Sequence, residues 1–186
     1  MFEDCLSFNK DLSSWNVSSV SDIGNMFINC RTFNNNINSW NVDNVNNMSH
    51  CFSGCDSFNQ PLDLWDVSNV ENMNSMFYGC RQLDISLNGW DVSNVDNFGN
   101  MFTNCVNYNP GYGLRNWRIN KLATTFSMFK NTHVTSTAPL TGDKIIDSGT
   151  PVYNRTPAVG FENYFYAYTS IVLTKIRFKN DILYYF

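Results

Sequence analysis

Cysteine and histidine are the residues with which this chain could do covalent or metal chemistry, and their placement argues against most of it. Cys51 directly follows His50, the one place where a thiol nucleophile has a base as its neighbour. Cys51, however, stands where equivalent segments carry Met, inside an apolar stripe, so burial accounts for it and a non-enzymatic protein is the expectation. Metal binding would call for ligands at short spacing, yet there is no C-x-x-C and the two histidines, His50 and His133, lie far apart. No cofactor is expected. The other five cysteines, Cys5, Cys30, Cys55, Cys80 and Cys105, recur every 25 residues and so form a ladder. On stacked helices its rungs would be ~8–10 Å apart, beyond the roughly 7 Å that a disulfide spans. The thiols are therefore expected to be reduced and to act as small buried hydrophobes.

What spaces the cysteines is a repeat. Met1-Phe2, Met26-Phe27, Cys51-Phe52, Met76-Phe77 and Met101-Phe102 each precede a ladder cysteine, and Trp15, Trp40, Trp65, Trp90 and Trp117 follow at a fixed distance, the last after a two-residue insertion. A period of this length marks units that bury their apolar faces only by stacking. In residues 62–83, Trp65 and Val67 alternate with polar Asp66 and Ser68 as in a half-buried strand. From there Val70, Met73, Met76, Phe77 and Cys80 fall on one stripe of a short helix, opened by Ser68 and Glu71 at capping-box spacing. Phe8, Phe33, Phe58, Leu83 and Tyr108 plug the return. The reading is an α/β solenoid, short parallel strands on one side and short helices on the other, over residues 1–132.

These residues carry a family resemblance. The sequence resembles leucine-rich-repeat surface proteins of the BspA-like type. It is most similar to a variant with 25-residue repeats reading L-S-x-W-D-V-S-N-V-x-x-M-x-x-M-F-x-x-C-x-x-F-N, known from mycoplasma lipoproteins, other bacteria and large DNA viruses. Leu12-Ser13-Ser14-Trp15-Asn16-Val17-Ser18-Ser19-Val20 and Leu62-Asp63-Leu64-Trp65-Asp66-Val67-Ser68-Asn69-Val70 show the match. The resemblance implies a leucine-rich-repeat-like right-handed coil with a parallel sheet along one side, and a role in adhesion or protein binding. It brings no catalytic residues with it.

The pattern fades after Gly111-Tyr112-Gly113. Residues 133–186 read as an α+β terminal cap or a docking segment: a hairpin around Asp147-Ser148-Gly149-Thr150, aromatics at helical spacing from Phe161 to Tyr168, then strands before and after Lys179-Asn180-Asp181. The first repeat starts midway, so its outer face is expected to be covered by a second copy or by preceding sequence.

Net charge of -4 with few basic residues excludes an electrostatic footprint for nucleic acid. No apolar run is long enough to span a bilayer. The N-terminus MFEDCLSFNK lacks an apolar signal core, which suggests an intracellular or virion-associated protein, or a cell-surface one if a leader has been removed. On the strand face, Asn16, Asn41, Asp66, Asp91 and Arg118 are expected to point outward as a binding row. The partner would be another protein or a second copy. The alternative is an exported adhesin recognising host proteins or glycans.

Overall fold

A computed structural model describes residues 1–109, 114, 117–120 and 122–132, together with the backbone of Ile176–Phe178 and Ile182–Tyr184. Within a repeat the chain advances by hydrogen-bonded turns. In the third coil the N–H groups of Cys51, Cys55, Phe58, Trp65 and Val70 donate to the carbonyls of Met48, Phe52, Cys55, Leu62 and Val67, each three residues earlier. Turn ends are apolar and buried. Turn centres such as Asp63-Leu64, Ser68-Asn69 and Arg81-Gln82 are polar or exposed.

Successive coils are joined by backbone columns. Met48, His50, Phe52 and Gly54 donate their N–H groups to Asn72, Asn74, Met76 and Tyr78 of the next coil, at 2.7–2.9 Å. Met73, Ser75, Phe77 and Gly79 do the same to Asn97, Gly99, Met101 and Thr103. One corner runs the other way, Glu71 donating to Asn46 and Asp96 to Glu71. Isolated parallel bridges link Asp22, Asn47, Asn72, Asn97 and Thr124 in one line through five coils.

The expected α/β solenoid is therefore corrected. Among the described residues there is no helix, and the only strands are β1 (Ile176–Phe178) and β2 (Ile182–Tyr184), outside the repeats. The stripe Val70, Met73, Met76, Phe77 and Cys80 is buried as expected, but a run of i,i+3 turns brings the same positions together that a helix would. What rules out the helix is the backbone. Asn25 and Asn29, Ser75 and Gly79, and Asn100 and Asn104 have φ between 53° and 73°, a left-handed conformation that a right-handed helix cannot contain. Their N–H groups then face the next coil, not the carbonyl four residues back. The expected strand at Trp65 and Val67 is likewise bounded by turns at 63–64 and 68–69, and parallel pairing falls instead at Asn72.

Packing follows the stack. Phe2, Phe27, Phe52, Phe77, Phe102 and Phe129 form a column with every centroid step 5.6 Å. Phe33 and Phe58 run alongside it at 6.0 Å. Asparagine builds a second, polar column: Oδ1 of Asn9, Asn34 and Asn59 accepts the N–H of Asn34, Asn59 and Asp84 in turn. The abundance of Asn is thus structural, because a carboxamide both tolerates left-handed φ and hydrogen-bonds its own copy one coil away.

β1 and β2 pair antiparallel with Ile176 opposite Tyr184 and Phe178 opposite Ile182, at the two segments expected to flank Lys179-Asn180-Asp181. The hairpin around residues 147–150, the aromatic segment 161–168 and the capping role of 133–186 lie outside the described residues.

Candidate functional site

The outward row begins with a turn. In each of four coils the residue after tryptophan caps the next turn through its side chain: Oδ1 of Asn16, Asn41, Asp66 and Asp91 accepts the N–H of Ser18, Asp43, Ser68 and Ser93 at 3.0–3.1 Å. All four, and Arg118 in the next coil, are exposed. One oxygen of each is thus used locally while the rest of the side chain faces solvent. The Ser68 hydroxyl and then its N–H hold the Asp66 carboxyl below its ordinary pKa of 3.8, so the row carries fixed negative charge at Asp66.

Between Asn41 and Asp66 the surface dips into a groove of about 250 Å³ that also includes Asn38, Asp43 and Leu64. Leu64, 70% exposed, is an apolar side chain at a turn centre where its counterparts are Ser14, Ser39 and Gly89. That irregularity was visible in the sequence. Asp43 Oδ1, by contrast, lies buried without a hydrogen-bond partner, and nothing in the sequence marks it. The groove therefore combines an apolar knob with two carboxylates and two carboxamides.

The ladder residues sit behind this face. Nε1 of Trp40, Trp65, Trp90 and Trp117 donates to the carbonyls of Leu12, Ile37, Leu62 and Leu87 one coil earlier, at 2.7–3.1 Å. The thiols of Cys30, Cys55, Cys80 and Cys105 donate likewise to Phe2, Phe27, Phe52 and Phe77, at 2.9–3.0 Å. Trp15 and Cys5, in the first coil, are exposed. All six thiols are free. Coils stack 5.6 Å apart by their rings, closer than the ~8–10 Å of packed helices, and the thiols of Cys30, Cys55, Cys80 and Cys105 are each directed at a carbonyl of the preceding coil.

His50 and Cys51 do not form a nucleophile and base in this fold. His50 takes a left-handed φ of 56° and Cys51 is fully buried. Burial pushes the Cys51 thiol well above its ordinary value, the reverse of the shift that activates a thiolate. Among the described residues no three His, Cys, Asp or Glu side chains gather as a metal site. His133 lies outside them. Nor is any helix among the described residues long and apolar enough to cross a membrane.

Coils locked to one another by indole, thiol, carboxamide and backbone hydrogen bonds at the same 25-residue register define a repeat-built protein. Residues 1–63 and 35–141 match the family described as Mycoplasma protein of unknown function, DUF285, and the chain belongs to that family. No curated protein and no solved structure matches.

Proposed function

We propose that the protein is a non-enzymatic binding module of the BspA-like surface-protein type, of the 25-residue W-D-V-S-N-V and M-F-x-x-C variety, which engages a protein partner along the row Asn16, Asn41, Asp66, Asp91 and Arg118. The observation that carries this reading is the groove between Asn41 and Asp66, with Leu64 projecting from its edge on an otherwise polar face. An apolar anchor ringed by polar groups is the usual anatomy of a protein contact. The stack behind it is tightly hydrogen-bonded, so little ordering cost accompanies binding. The acidic middle of the row favours a basic or amide-rich segment in the partner.

A phage-displayed random peptide library selected on the chain, with Leu64→Ser and the double variant Asp66→Lys and Asp91→Lys as counter-targets, tests this. Enriched peptides should bind both variants at least about tenfold more weakly. Peptides that bind all three proteins alike would refute the row as the site. A glycan array giving Asn41-dependent hits with no peptide enrichment would favour the alternative, an exported adhesin.

A further inference from the structure

We propose that Asn88 is a site of self-modification, at which the side-chain carboxamide closes on the backbone nitrogen of Gly89 and deamidates to aspartate and isoaspartate. The Gly89 nitrogen, having given its proton to hydroxide, attacks Cγ of Asn88, and ammonia leaves. Water then opens the resulting succinimide at one carbonyl or the other. One opening gives aspartate; the other gives isoaspartate, in which the main chain runs through Cβ of residue 88. The reaction consumes only water, and no group is oxidised or reduced.

The nucleophile is the first observation. Asn88-Gly89 is the one Asn-Gly pair in the sequence. It forms the centre of a turn closed by the Trp90 N–H on the Leu87 carbonyl at 3.1 Å. Glycine has no Cβ to crowd the attack. Gly89 is exposed, and its N–H donates to no partner among the described residues, so hydroxide can reach the proton. At the same place one coil earlier the Leu64 N–H is held by Asn38 Oδ1 at 3.0 Å.

Other asparagines supply the contrast. An amide nitrogen that donates a hydrogen bond gives up its proton only by losing that bond. After Asn74, Asn100 and Asn104, the N–H groups of Ser75, Met101 and Cys105 donate to the carbonyls of Gly99, Phe98 and Phe102 at 2.8–3.1 Å. Asn38 is restrained at the other reactant. Its Nδ2 donates to Asp63 Oδ1 at 2.9 Å while its Oδ1 accepts the Leu64 N–H, which holds the carboxamide toward the next coil and away from its own following nitrogen. The stack thus protects these four asparagines, and at Asn88 it leaves the nucleophile open.

The product alters both charge and fold. Residue 88 occupies the turn position that Asp63 holds one coil earlier, and Asp91 follows three residues on, so either product extends the acidic stretch of the outward face. Isoaspartate also lengthens the main chain between Leu87 and Trp90, both buried, and loosens the turn that joins them. Older molecules therefore carry more negative charge and a weaker turn in the fourth coil.

Incubating the folded 186-residue chain in mildly alkaline buffer, with isoaspartyl methyltransferase labelling and peptide mapping by mass spectrometry, tests the proposal. Isoaspartate should accumulate first at residue 88, and more slowly in mildly acidic buffer. Gly89 lies outside the left-handed region, and a Cβ there would meet nothing within 4 Å, so Gly89→Ala is accommodated and should slow the reaction at least about tenfold. Thermal midpoints check that this variant folds. In urea, Asn38 and Asn74 should become reactive as well, because the hydrogen bonds that protect them are gone. A folded chain in which residue 88 stays unlabelled, in which Asn38 or Asn74 reacts first, or in which Gly89→Ala reacts at the parent rate would overturn the proposal.

Discussion

Trp15 and Trp65 hold the same place in their coils and meet opposite surroundings. Trp65 is 3% exposed, donates its indole N–H to Ile37 and stacks on Trp40 at 6.5 Å. Trp15 is 39% exposed and touches the ring of Phe2. The sequence around them is nearly the same, so the difference comes from neighbours alone. A coil here owns little stability; it shares its core, its backbone hydrogen bonds and its thiol and indole donors with the coils above and below. The largest expected effect follows. Trp65→Ala should cost ~3–5 kcal/mol, the usual loss for a buried aromatic, and should unfold several coils together. Trp15→Ala should cost about 1–2 kcal/mol, in proportion to the area it buries. Urea unfolding followed by circular dichroism measures both, and equal losses would show that the first coil is covered on its outer face under the conditions used.

The comparison also shows what the sequence could reveal. Every position assigned to the core stripe, from Val70 to Cys80, is buried, because burial depends on which residues are apolar and on their register, and both are written in the repeat. The conformation that buries them is a chain of turns, not the expected helix. Spacings of three and four fit a helix and fit a chain of i,i+3 turns equally, so periodicity could not separate the two. The distinguishing signal lay in polar residues: Asn25 and Asn29, His50 and Gly54, Ser75 and Gly79, Asn100 and Asn104 stand four apart in each repeat, and all take positive φ. Asn and Gly twice in one supposed helix of two or three turns argue for left-handed positions. Of the candidate row, outward placement was legible from the alternation around Trp65. Its local duty, capping the turn that follows, was not, because a strand has no such turn to cap. Gly54 sharpens the point. With φ at 74° its absent Cβ leaves room for Asn29 of the neighbouring coil, whose side chain a Cβ would strike. Gly54→Ala should therefore cost about 1–3 kcal/mol, read from the same unfolding curves. No loss would mean that the left-handed turn is dispensable.

Buried thiols extend the contrast from mutation to pH. Burial raises the Cys30 thiol from 9.0 to about 11 and pushes Cys55, Cys80 and Cys105 higher still. Because the fold favours the neutral thiol, the stability it contributes is fully present below pH ~9, where the unfolded chain also keeps its protons, and is lost as pH rises through the folded-state value. The urea midpoint should hold steady up to about pH 8.5 and fall above it. Cys80→Ala should start from a lower midpoint, since it leaves a small cavity, but should fall less steeply. A variant with the same alkaline slope as the parent would assign the loss to other groups.

The smallest effect separates the two regions without unfolding anything. Cys5 is exposed, and Cys30, Cys51, Cys55, Cys80 and Cys105 are buried. Four of those five donate to a carbonyl of the preceding coil. A thiol reagent attacks the thiolate, so reaction requires both access and deprotonation. At neutral pH one equivalent of an aromatic disulfide reagent should be consumed quickly by Cys5, and the remaining five only at the rate at which coils open. Cys30 should be the first of these, because the carbonyl it binds belongs to Phe2 of the end coil, where opening starts. Cys55 and Cys80, held between complete coils, should be the last. If Cys80 reacts as fast as Cys30, the stack opens as one unit, and the gradient from end to interior drawn from Trp15 and Trp65 does not govern its dynamics.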